Sequence, residues 1–208
     1  MDIIFWLIAF TIAITIHEAS HAWMADKLGD PTARLMGRLS LNPLVHYDPV
    51  GTTLLLIMVF LHSPFPFGWA KPVQFDQYNL KNPRRDSALI SLAGPVSNII
   101  LAIIAALLIR IIPFSPITAL FETIIVLNVV LALFNLVPIH PLDGGKIFIG
   151  LLPEKDAREA DFFLQRYGMF ILFFLIFPWG NGGSPLFMVL GPVISFILNI
   201  LLPGSSFS

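Results

Sequence analysis

From Ala88 to Ile109 the chain runs for 22 residues without one charged side chain. A helix of that length covers about 33 Å, the thickness of a bilayer's hydrocarbon core. In lipid, backbone polar groups find no water, so a segment that crosses must satisfy them internally, as a helix does. Four more long apolar stretches flank it: about Ile3–Met24, Ile117–Ile139, roughly Phe162–Pro178 and roughly Pro185–Leu202. The expected fold is therefore an all-α polytopic membrane protein with about five full transmembrane helices. Composition agrees, since only 12% of residues are charged, against about 25% in soluble domains.

A shorter apolar stretch, Gly51–Leu61, gives about 16 Å of helix. That is half a bilayer, so it reads as re-entrant or shallow. Charge supports this reading. If the first helix runs outside to inside and Gly51–Leu61 does not cross, every Lys and Arg except Arg110 falls at or near the inner face. That is the positive-inside pattern. A full crossing would carry Lys71 through Arg85 outside. The segments lie too close together for a second soluble domain. Residues 1–208 read as one integral-membrane domain, with a core over about 1–150 and a C-terminal helical pair over about 160–203.

The first apolar segment ends in His17-Glu18-Ala19-Ser20-His21. Ionisable side chains at membrane depth cost about 2.5–3.5 kcal/mol each on insertion scales, which makes them functional candidates. On a helix, residues i and i+4 share a face, so His17 and His21 can reach one ion. Glu18 beside them can accept a proton from a water that the ion activates. H-E-x-x-H on a helix is the zinc-hydrolase pattern for this reason. The sequence has no cysteine, so a zinc ion must be held by histidine and carboxylate. A net charge of −1 without a basic stripe gives no sign of a nucleic-acid partner. The start, MDIIFW, lacks the basic region of a secretory signal, so the first apolar segment is expected to be retained.

A catalytic zinc site needs a third protein ligand. The end of the fourth long segment, Asn135 to Gly145 (NLVPIHPLDGG), supplies Asp143. Pro138 and Pro141 break the helix there and free backbone groups, and the two glycines allow close backbone approach. In the topology above, Asp143 lies at the same inner depth as His17 and His21.

These blocks together resemble the site-2 proteases, a family of intramembrane zinc metalloproteases. HEASH resembles that family's HExxH helix. Asn135 through Gly145 resembles its NxxPxxPLDG motif, whose aspartate is the third zinc ligand. Ser91 through Asn98 (SLAGPVSN) resembles its GPxxN motif. Gly68 through Val73 (GWAKPV) and Gly37 through Pro43 (GRLSLNP) resemble the compact bacterial and archaeal branch, which has no PDZ domain. The resemblance implies one Zn²⁺ per chain on His17, His21 and Asp143, Glu18 as general base, and a small membrane-associated β-hairpin around Trp69–Phe75. It further implies transmembrane proteins as substrates and the cell membrane of a prokaryote as the location. Asn98 has two readings, an interhelical hydrogen bond or an active-site role in binding substrate. Asn135 reads as a group that binds the scissile peptide or its oxyanion. His140 departs from the family's apolar residue at that place and reads as a loop residue or as a partner behind the ligands. A metal transporter is the rival class, but the last two segments carry almost no ligands, and such a protein has no use for Glu18. The sequence says nothing of oligomeric state.

Overall fold

The computed structural model describes residues 3–61, 70–112, 117–178 and 183–202. Within them the chain forms eight α-helices: α1 Ile3–Lys27, α2 Thr32–Leu35, α3 Gly51–Phe60, α4 Pro83–Ile111, α5 Thr118–Asn135, α6 Asp143–Leu151, α7 Glu154–Ile176 and α8 Pro185–Leu201. Short 3-10 turns occupy Pro43–Val45 and Gln77–Asn79.

Local chemistry sets the ends of the central helix α4. Pro83 occupies its first turn, where a missing N–H costs nothing. The Asp86 carboxylate reaches back to accept the Asn82 N–H at 2.8 Å. Arg110 stands in the last turn, complementing the helix dipole. Small residues then let its neighbours come close. Ala102, Ala105 and Ala106 of α4 meet Ala9 of α1 and Ile125 and Val129 of α5 in one buried cluster. This is how helices pack in lipid, where apolar burial alone does not drive association. Ile194 and Leu198 of α8 complete the cluster.

Three helices, α1, α4 and α5, are long and apolar enough to cross a membrane. The expectation of five gives way to three for identifiable reasons. α7 has 23 residues, but its first turns carry Glu154, Lys155, Asp156, Arg158, Glu159 and Asp161, which leaves a short apolar half. α8 is apolar throughout, yet its 17 residues cover only about 26 Å. α3 has ten residues, about 15 Å, and is too short to cross. Leu172 of α7 and Leu186 of α8 pack instead on Val137, Ile139 and Leu142, bracing the turn between α5 and α6.

The expected β-hairpin is also corrected. Of its expected span around Trp69–Phe75, Trp69 lies outside the described residues, and no strand occurs among those described. Residues 70–76 form a segment held by scattered bonds rather than by a ladder. Lys71 N–H donates to His46 O at 2.9 Å, and Asp76 N–H donates to the Asp30 carboxylate at 2.8 Å.

Candidate metal centre

α1 delivers its last turns against the N-terminal half of α4, and α6 packs on α4 as well. These contacts bring His17, His21 and Asp143 together from residues far apart in sequence. The Nε2 atoms of His17 and His21 are 3.1 Å apart. Asp143 Oδ2 lies 3.2 Å from the first and 3.3 Å from the second. Zinc bound at 2.0–2.1 Å in tetrahedral geometry separates its ligands by about 3.3 Å. The three atoms thus form nearly one face of a zinc tetrahedron.

Hydrogen bonds behind the histidines fix which ring nitrogen faces inward. His21 Nδ1 lies 2.7 Å from Ile90 O, a group that only accepts, so Nδ1 carries the proton. His17 Nδ1 lies 2.5 Å from Asn98 Oδ1. The amide of Asn98 is oriented in turn, because its Nδ2 donates to Ala13 O at 3.2 Å and to Asn128 Oδ1 at 2.7 Å. Asn128 Nδ2 donates to Ile124 O at 2.8 Å. In the neutral rings both Nε2 lone pairs therefore point at Asp143 Oδ2, a buried atom with no hydrogen bond of its own. Three converging lone pairs repel one another unless a cation joins them, and two imidazoles with a carboxylate are a zinc donor set.

Glycines make the room. A Cβ on Gly94 would lie 2.5 Å from His21 Nε2 and 2.6 Å from His17 Cε1. Only a residue without a side chain lets α4 back onto both rings. A Cβ on Gly144 would collide with the carbonyls of Leu136 and Val137, so the turn after α5 can fold back closely only with glycine there.

A family profile described as peptidase family M50 matches residues 5–115 and 112–178. The chain belongs to peptidase family M50. This is the site-2 protease family, so the chain is an integral membrane zinc metalloprotease whose cofactor is Zn²⁺. YwhC of Bacillus subtilis (strain 168), assigned by name to the zinc metalloproteases, is 38% identical over 93% of this chain and 89% of its own length. Rip2 of Mycolicibacterium smegmatis, assigned likewise, is 30% identical over 79% of this chain and 63% of its own. Zinc metalloprotease MJ0392 of Methanocaldococcus jannaschii is 24% identical over 73% of this chain and 36% of its own. No solved structure matches. Bacterial and archaeal relatives place this M50 chain among prokaryotic membrane proteins.

The other expected site residues divide. Glu18 is buried beside His17, and its Oε2 accepts the Val73 N–H at 3.1 Å. Asn98 is fully buried behind His17 with both amide protons engaged. Asn135, half-buried at the end of α5, donates to Leu131 O at 3.0 Å. His140 stands outside the group of three, with a buried Nδ1 that has no partner.

Two residues escaped the sequence reading. Asn128 left a trace there, being a polar residue at membrane depth inside the apolar stretch Ile117–Ile139. Asp30 left none. It is fully buried in the loop after α1, and its carboxylate ties that loop to the segment bearing Val73. Thr32 N–H (3.1 Å) and Thr32 Oγ1 (2.5 Å) donate to it, as do Asp76 N–H (2.8 Å) and Asn79 Nδ2 (2.7 Å). Burial opposes ionisation of this carboxyl, but the hydrogen bonds from Thr32, Asn79 and Asp76 outweigh it and hold the group below the usual carboxylate range.

Proposed function

We propose that this chain hydrolyses peptide bonds within or near the transmembrane segments of other membrane proteins, with His17, His21 and Asp143 as zinc ligands and Glu18 as general base. The observation that carries the reading is the triangle of donor atoms, 3.1–3.3 Å on a side, with both rings oriented from behind. Zinc bound there supplies a Lewis acid that polarises a carbonyl and lowers the pKa of water toward 7.

The chain's own residues do the rest. Asn98 and Ile90 O hold the imidazoles in register. Glu18 gives one carboxylate oxygen to Val73 N–H, which fixes its direction. Its other oxygen takes the proton of the attacking water and passes it to the leaving amine. A peptide bond inside a helix is shielded by its own hydrogen bonds, so the substrate must unwind locally before attack. Asn135, at the C-terminal end of α5, binds the peptide so exposed. The partners of the reaction are transmembrane protein substrates, and the bilayer is its medium.

Glu18→Gln tests the assignment. The purified variant should keep one zinc per chain by elemental analysis and lose about 10²–10⁴-fold in cleavage of a reconstituted transmembrane substrate. Cleavage near the wild-type rate would remove Glu18 from the role of base. Loss of the zinc would move Glu18 into the ligand set.

A further inference from the structure

A cavity opens between the start of α4, the face of α6 and the start of α7. Its volume is about 650 Å³, within the range of small-molecule sites. Four cationic side chains line it, Arg84, Arg85, Lys146 and Arg158, against two carboxylates, Glu154 and Asp161. The lining is therefore net positive in a chain whose formal charge is −1. Glu154 is already taken by an ion pair with Arg158. Arg84, Arg85 and Lys146 form none of the ion pairs found among the described residues. Ser87 in the same wall is 5% exposed, and its hydroxyl is buried with no hydrogen-bond partner. A buried hydroxyl without a partner is rare, so this group marks a place where a ligand atom is wanted.

We infer that this cavity binds a phosphate group, carried either by an anionic lipid headgroup or by a soluble phosphorylated molecule. Two adjacent arginines present planar, multidonor faces suited to phosphate oxygens, Lys146 adds a point charge from α6, and Ser87 donates from the wall. Scattered positive-inside charge would satisfy the topology equally well, but it would need neither a concave site nor a buried orphan hydroxyl. The bound group would tie together three helices, one of which, α6, begins at Asp143.

The full-length chain in nanodiscs tests this with two probes. Inorganic phosphate is titrated into chain held in pure phosphatidylcholine, and retention of phosphatidylglycerol is read by native mass spectrometry from mixed discs. One saturable site per chain is expected for at least one probe. Phosphate binding in the neutral discs identifies a soluble ligand, and retained phosphatidylglycerol without phosphate binding identifies a lipid headgroup. Arg84→Gln with Arg85→Gln should weaken that binding about tenfold or more. Ser87→Ala should weaken it less. Lys27→Gln with Lys71→Gln removes the same charge elsewhere in the chain and should leave it unchanged. Equal losses in the two double variants, or no saturable site with either probe, would overturn the inference.

Discussion

Gly94→Ala separates helix stability from metal binding. Away from the metal centre, alanine in place of a helical glycine would favour the helix by about 1 kcal/mol. Here the added methyl would sit 2.5 Å from His21 Nε2 and 2.6 Å from His17 Cε1. Ordinary contact begins near 3.4 Å, so the rings or α4 must give way by about 1 Å. Zinc–ligand distances tolerate about 0.2 Å. The displacement exceeds that tolerance about fivefold. It falls on both histidines, since His17 and His21 both face the same point of α4. Losing even an outer partner of a ligand costs about 10–100-fold in metal affinity, so displacement of two ligands should exceed about 100-fold. The assay is zinc stoichiometry by elemental analysis, together with thermal unfolding of the metal-free chain and cleavage of a reconstituted transmembrane substrate. Gly94→Ala should unfold, metal-free, no earlier than the parent, yet hold little zinc and cleave nothing. Full zinc occupancy with wild-type cleavage would refute the claim that the bare backbone of Gly94 makes room for the two rings.

Asn128→Leu touches no ligand, yet it frees the Asn98 amide and should lower zinc affinity. Asn98→Leu leaves His17 Nδ1 without its acceptor and should lower it more, by about 10–100-fold; equal affinity in all three chains by chelator competition would break this relay. Asp30→Ala strands four donors and should release residues 70–80, seen as faster tryptic cleavage at Lys81 at neutral pH. For the parent chain, the folded-state carboxyl of Asp30 titrates below its unfolded value of about 3.9. Its contribution is therefore complete above pH 4 and is lost as pH falls through the folded value, which hydrogen exchange at Asp76 and Asn79 would report. Because the chain has no cysteine, single cysteines at Ser40 and Asn82 can be labelled cleanly. Both should react from the inner side, and reaction of position 82 from outside alone would require α3 to cross.

The membrane class, the helical fold and the candidate metal cluster could be read from the sequence because each rests on a local rule. An uncharged run of 22 residues has a helix available to it in lipid. The four-residue spacing of His17 and His21 fixes their common face before any tertiary contact exists. Asp143 could be chosen because motif and topology agreed. Segment length was less legible. The apolar stretches at 162–178 and 185–202 looked like full crossings, but where a helix starts and how much of it is charged depend on its ends, and α7 begins eight residues earlier with six ionised groups. The hairpin expectation came from resemblance alone, and residues 70–76 form no ladder.

What only the tertiary structure decided is how His17, His21 and Asp143 are held. Nothing in the stretch Ile117–Ile139 says that Asn128 clamps Asn98, since that bond joins residues 30 positions apart across α4 and α5. Nothing around Asp30 says that it gathers donors from Asp76 and Asn79, because a loop carboxylate in sequence looks like any solvated acid. The candidate ligands are singled out by spacing along one helix and by one motif, which a sequence records. The tautomers of the two histidines, the separation of 3.1–3.3 Å and the room beside Gly94 come from helices meeting at one place, where partners distant in the chain complete each other's hydrogen bonds.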